Sequence, residues 1–213
     1  MITKNVAVIA TAVCALGSPA FADAADKSAT IANSSSERTS VVTMKDDFAN
    51  RSPDIHWPKG FTPADADLFS HNELFINASC RRVWRHIVEA TKWPQWYPNS
   101  KAVQVLGDGG SVLEDNSVFR WATFGLPLES RINEFVPFSR IGWFGYAPGT
   151  APSFYHTWYL TPEGAGCRVA TDEVGKGESA IHFRQTDESA MHRGHDLWLA
   201  TLKWVSESNS NEE

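Results

Sequence analysis

Beyond residue 22 the chain contains no apolar run of 18 residues, so no segment of the mature protein is expected to cross a bilayer as a helix. It has no glycine-rich phosphate loop, no dinucleotide fingerprint and no G-x-S-x-G nucleophile elbow. Cysteine is scarce, with three in the full chain and no C-x-x-C pair, which removes redox and zinc-finger readings. Basic residues are outnumbered, 19 Lys and Arg against 25 Asp and Glu, for a formal net charge of −6. That balance argues against nucleic acid and against an anionic membrane surface, both of which attract basic patches. No cofactor or metal is expected, and any chemistry should be cofactor-free proton transfer.

What is present begins with a leader. Lys4 precedes an apolar stretch from Val6 to Leu16, Gly17-Ser18-Pro19 breaks it, and Ala20-Phe21-Ala22 supplies the small residues a signal peptidase reads. Residues 1–22 are therefore expected to be a signal peptide cleaved after Ala22, with the mature protein secreted or periplasmic. Loss of Lys4 takes the net charge from −6 to −7. Residues 23–43, rich in Ala, Ser, Thr and Asn, cannot bury enough surface to offset their ordering entropy and read as a flexible linker. Residues 44–70 form a Pro-rich arm around Ile55-His56-Trp57, with a short helix expected at Pro63 to Phe69. Residues 71–207 make one domain, and 208–213 a disordered tail.

Within the domain, His71 to Ala78 alternates as a strand with one buried side. Ser79 is a good N-cap for a helix over Arg81 to Ala90, and Trp93 to Pro98 reads as a turn or a second short helix. Strand-like segments follow at 102–106, 117–123, 128–137, 140–146, 153–160 and 167–174. Short turns separate them, which favours an antiparallel meander. Residues 181–184 fit either a last strand or a helix entry. Thr186 or Asp187 then caps a long helix whose stripe is Met191, His195, Trp198, Leu202 and Val205. All nine tryptophans lie between Trp57 and Trp204, and such a surplus lines pockets as well as filling cores.

The run Asn72-Glu73-Leu74-Phe75-Ile76-Asn77-Ala78-Ser79, with Val83-Trp84, Trp93-Pro94 to Trp96-Tyr97-Pro98 and Trp198-Leu199 with Leu202, resembles the polyketide cyclase/dehydrase and lipid-transport family. That family belongs to the superfamily of START domains and the birch pollen allergen. The resemblance covers roughly Asp67 to Ser206. It implies an α+β helix-grip fold: a curved antiparallel sheet around a long C-terminal helix, with two short helices after the first strand. It also implies a long cavity between sheet and helix, and it supplies no universal catalytic set.

Site residues must therefore be read from the chain itself. His195, the polar member of the last helix's stripe, should face the sheet as a pocket group or as a satisfied core histidine, and strand alternation puts His156 on the inward face. These two are the candidate catalytic residues. Trp121, Trp143, Phe154, Trp158, Met191 and Trp198 are the candidate ligand-binding residues. Of Asp172 and Glu173, one must face inward if the strand continues, although solvent exposure is the ordinary expectation. His192, three residues before His195, needs a third partner such as His156, His182 or Asp172 to bind metal, and no such set is expected. Cys80 and Cys167 either form a disulfide or remain two buried thiols. The leading expectation is an exported domain binding a hydrophobic, aromatic small molecule. The alternative is a cofactor-independent lyase, cyclase or dehydratase using His195 and His156, and a third reading has the arm docking a partner. The sequence carries no signal for an oligomeric state.

Overall fold

The computed structural model describes residues 41–107 and 110–208. The leader, nearly all of the linker and all of the tail after Ser208 lie outside the described residues. Seven antiparallel strands form one sheet in the order β1-β7-β6-β5-β4-β3-β2. They are β1 (Leu68–Ile76), β2 (Ser100–Val105), β3 (Val118–Thr123), β4 (Leu126–Val136), β5 (Arg140–Tyr146), β6 (Phe154–Glu163) and β7 (Gly166–Gly175). Among the described residues four α-helices accompany them: α1 (Met44–Asn50), α2 (Cys80–Val88), α3 (Glu178–Thr186) and α4 (Ala190–Ser208). Consecutive strands from β2 to β7 pair as a meander, and β1 closes onto β7. The result is the α+β helix grip, with α4 in the concave face.

Local chemistry accounts for these elements. The Ser79 side chain accepts from the Arg82 amide and starts α2. Pro94 limits the next segment to a 3-10 turn over Ala90–Gln95. On β3, β5 and β6 the inward residues Phe119, Trp121, Ile141, Trp143, His156 and Trp158 are all buried. Trp93, Trp143 and Trp158 are fully buried, and with Trp121 and Trp198 they form a continuous edge-to-face and tilted cluster. Each such ring removes about 150–250 Å² from water, so this cluster dominates the core.

Several expected boundaries move. β1 begins at Leu68 rather than His71, and Leu68 to Asn72 are buried on both faces. The expected helix at Pro63–Phe69 is only a 3-10 turn over Pro63–Asp65. The two-sided burial of β1 arises because the arm covers the convex face of the sheet. Its α1 is started by a capping box between Thr43 and Asp46. Phe48 stacks on Phe69, Trp57 packs edge-on against Phe69 and Tyr155, and Phe61 meets Phe144. Hydrophobic cover on both sides erases the one-sided alternation expected of an exposed sheet.

Residues 181–184 belong to α3, and the C-terminal helix starts at Ala190, not at Thr186 or Asp187. In β4 the register slips between Ile132 and Glu134, so Phe135 pairs with Ile141 and packs on Trp84. Simple alternation along 128–137 would put Phe135 on the face of Glu129 and Arg131, and the slip turns it to the other face, as a bulge must. Cys80 and Cys167 are joined in a disulfide with a Cα–Cα separation of 5.0 Å, tying the start of α2 to the start of β7.

Candidate functional site

The gap between sheet and α4 is mostly filled. Its inner end is occupied by the tryptophan cluster and by Tyr97, which stacks on Trp198 at 4.4 Å. What remains is a cleft of about 50 Å³ at the other end, walled by Trp121, Trp143, Leu128, Phe154, Met191 and Trp198. That is room for a few water molecules, not the long cavity the family resemblance implies. Phe124 and Phe183 meet edge to face, 5.3 Å between centroids, at the cleft's α3 end. Phe124 sits in the β3–β4 turn at φ 51°, a left-handed conformation uncommon for a bulky residue. It rests on bare backbone at Gly194 of α4, where a β-carbon would overlap its ring.

The polar floor of the cleft is built by three elements. β6 supplies His156, β7 supplies Glu173, and α4 supplies His195. His195 Nε2 lies 2.9 Å from Glu173 Oε2. Its Nδ1 lies 2.7 Å from Ser70 Oγ on β1. His156 Nε2 lies 2.7 Å from Thr171 Oγ1, and its Nδ1 is 3.8 Å from the same Glu173 oxygen. The two imidazoles stack, 4.7 Å between centroids. Burial, with the nearby His195 adding to it, holds the His156 pKa well below the ordinary imidazole value. His156 is therefore neutral at neutral pH. With His195 Nε2–H donating to Glu173 Oε2, Nδ1 is left to accept from the Ser70 hydroxyl. Burial pushes the Tyr97 hydroxyl up to about 12, so it stays protonated beside the cleft and donates to the Gly194 carbonyl.

Of the residues singled out in the sequence, His156 and His195 come together at this floor. Trp121, Trp143, Phe154, Met191 and Trp198 line the cleft. Trp158 does not; it lies fully buried behind the lining, edge-on to Trp198 at 5.0 Å. The sequence-level metal combinations are dispersed. His192 turns to Asp47 and Asp196, His182 is exposed, and Asp172 lies on the convex face. Neither carboxylate of β7 is solvated as expected. Asp172 is fully buried against His71 and Ser52, and Glu173 enters the cleft. The residues missed were Ser70, Thr171, Phe124 and Phe183, while the sequence alone leaves open which of Asp172 and Glu173 is the inward carboxylate. The parity of Val169, Thr171 and Glu173 on β7 was the available signal for Thr171 and for choosing Glu173.

The family described as polyketide cyclase/dehydrase and lipid transport matches residues 71–190. A solved hypothetical protein from Helicobacter pylori is 27% identical, with TM-score 0.68, over 74% of this chain and 98% of that one. A protein from Nitrosomonas europaea superposes with TM-score 0.54 at 15% identity, over 70% of this chain and 99% of its own. The di-domain ARO/CYC StfQ from the steffimycin biosynthetic pathway superposes with TM-score 0.54 at 16% identity, over 68% of this chain and 54% of its own. The last two show the fold alone. No curated protein matches the chain.

Proposed function

Because the chain belongs to the polyketide cyclase/dehydrase and lipid-transport family, we propose that it binds a small hydrophobic, aromatic molecule in the cleft between its sheet and α4. The observation that carries this reading is an apolar, tryptophan-walled cleft with one polar cluster at its floor, the usual make-up of a small-molecule site. Aromatic walls favour a planar guest, and Glu173 with His195 offers its polar end a hydrogen-bonding partner. At about 50 Å³ the cleft admits a guest only when the Phe124–Phe183 pair parts. Export of the mature protein after Ala22 belongs to the same reading, and the Cys80–Cys167 bridge supports it, since such bridges persist in oxidising compartments.

Titration of purified protein with a panel of aromatic and lipid-like compounds tests the proposal. Trp121, Trp143 and Trp198 touch the cleft, so a true ligand changes tryptophan emission and raises the melting temperature. A panel that moves neither overturns it.

A second reading follows from the 2.9 Å contact between His195 and Glu173. A histidine held by a carboxylate at the floor of an apolar cleft is equipped for proton transfer, the chemistry of a cofactor-independent lyase, cyclase or dehydratase. Conversion of a bound compound by the wild-type protein, lost in His195→Ala while binding persists, would establish it.

A further inference from the structure

The His156–Glu173–His195 cluster holds one more nitrogen than a proton-relay pair needs. Glu173 Oε2 accepts fully from His195 Nε2 at 2.9 Å, whereas His156 Nδ1 faces the same oxygen at 3.8 Å, outside hydrogen-bonding range. The three donor atoms all lie within 4.8 Å of one another. Donors sharing one tetrahedral ion at 2.0–2.2 Å stand roughly 3.3–3.6 Å apart. A shift of about an ångström in the side chains would therefore bring all three to ligating distance.

We propose that His156 Nδ1, Glu173 Oε2 and His195 Nε2 form a binding site for a divalent first-row transition ion of the Zn²⁺ class. Two imidazoles and one carboxylate suit such an ion and not Mg²⁺ or Ca²⁺, which prefer all-oxygen cages. Each ring is already held from behind by a buried hydroxyl, Thr171 Oγ1 on His156 Nε2 and Ser70 Oγ on His195 Nδ1, both at 2.7 Å. In ligating histidines the outer nitrogen is commonly an N–H held this way. An ion on His195 Nε2 would take the place of its proton, and the Nδ1–H tautomer would then donate to Ser70 Oγ, which can accept as well as donate. Three protein ligands leave a fourth position, on the side of the apolar cleft, the pattern of a catalytic rather than a structural ion. This departs from the expectation of a metal-free chain, which rested on combinations built around His192. The site does not require the ligand proposal to hold, although an oxygen of a bound guest is the natural fourth donor.

The test uses tag-free protein stripped with chelator, with Co²⁺ and Zn²⁺ as probes. Co²⁺ should give the visible bands of a four- or five-coordinate ion, and calorimetry should count one Zn²⁺ per chain at micromolar affinity or better. Glu173→Gln, which keeps shape and removes the charge, and His156→Asn should each weaken Zn²⁺ at least about tenfold, while melting curves confirm the fold. The pair Ser70→Ala with Thr171→Val should weaken it about 10–100-fold through lost orientation. His192→Ala, beside the separate Asp47–Asp196 cluster, should leave it unchanged. No Co²⁺ bands in wild type, or Zn²⁺ binding lost in His192→Ala and retained in Glu173→Gln, would overturn the site. Aromatic-ligand titrations repeated in chelator separate failure of the metal proposal from failure of the binding proposal.

Discussion

Ser70 Oγ lies 2.7 Å from His195 Nδ1, so a strand that starts inside the arm sets the orientation of a ring on the last helix. Both residues are buried, and water cannot replace the contact. Ser70→Ala leaves a buried imidazole nitrogen unpaired, a cost of about 1–3 kcal/mol. Thermal unfolding should show that loss, and imidazole ¹⁵N shifts should show His195 Nδ1 losing its hydrogen bond. Ser70→Thr, which keeps the hydroxyl, should restore the shifts. Unchanged shifts in Ser70→Ala would mean that Glu173 alone orients the ring.

Phe124 and Gly194 should be energetically coupled. Alanine at Gly194 places a β-carbon into the Phe124 ring, and overpacking of this kind costs about 1–3 kcal/mol. In a Phe124→Ala background the same change should be neutral or stabilising by up to about 1 kcal/mol, because alanine suits a helix better than glycine. A double-mutant cycle from thermal melts reads the difference. Additive effects would show that Phe124 does not rest on α4 in solution.

The Cys80–Cys167 bridge closes a segment with a sequence separation of 87. Constraining so long a loop in the unfolded chain is worth about 2–5 kcal/mol. Cys80→Ser with Cys167→Ser should lower the denaturant midpoint accordingly with the fold intact, and thiol titration of unreduced wild type should find neither cysteine free. A free-thiol count of two would remove the bridge from the account.

Acidification should tighten the arm and loosen the core. Burial disfavours the charged form of His71, but the hydrogen bond and charge of Asp172, with Glu73 and Asp47, outweigh it and raise its pKa. The His192 pKa is raised by its hydrogen bond to Asp47, against burial, with the charges of Asp47 and Asp196 adding. A raised histidine contributes stability that is complete below its unfolded pKa, about 6.5, and lost as pH rises through the folded value. His156 is lowered by burial and then by His195, and His86 by burial and then by Arg85. Those two contribute stability above about 6.5 that is lost as pH falls through and below that value. Between about pH 7.5 and 5.5, hydrogen-exchange protection in residues 44–50, relative to the intrinsic rate, should therefore rise, while the His156 and His86 contributions to global stability are lost. His192→Ala should abolish the first effect and His156→Asn flatten the second. An unchanged pH dependence of the melting temperature in His156→Asn would contradict the burial of neutral His156.

The parts legible in the sequence were those carried by local pattern. The Met191, His195, Trp198, Leu202, Val205 stripe located the C-terminal helix, and alternation on β6 placed His156 inward beside Trp158. Family likeness at Asn72 to Ser79 supplied the topology. Misreadings occurred where distant segments meet. The capping box at Thr43 and Asp46 was present in the sequence, but α1 is kept by packing of Phe48 on Phe69. The slip in β4 moved Phe135 to the other face without any glycine or proline to announce it. Trp158 shares its inward face with His156, yet Trp198 stands in front of it.

The sequence by itself determined the order of elements, the acidic balance, and which side of most strands faces inward, because helix and strand periods are properties of neighbouring residues. The tertiary structure alone decided that Asp172 and Glu173, adjacent in the chain, serve opposite faces. It decided that the arm makes the first of those faces an interior, and that Ser70, Glu173 and His195 meet across 125 residues. Side chains alternate across a strand whatever lies beyond them, and only the packing of α4 and the arm settles what each carboxylate finds there.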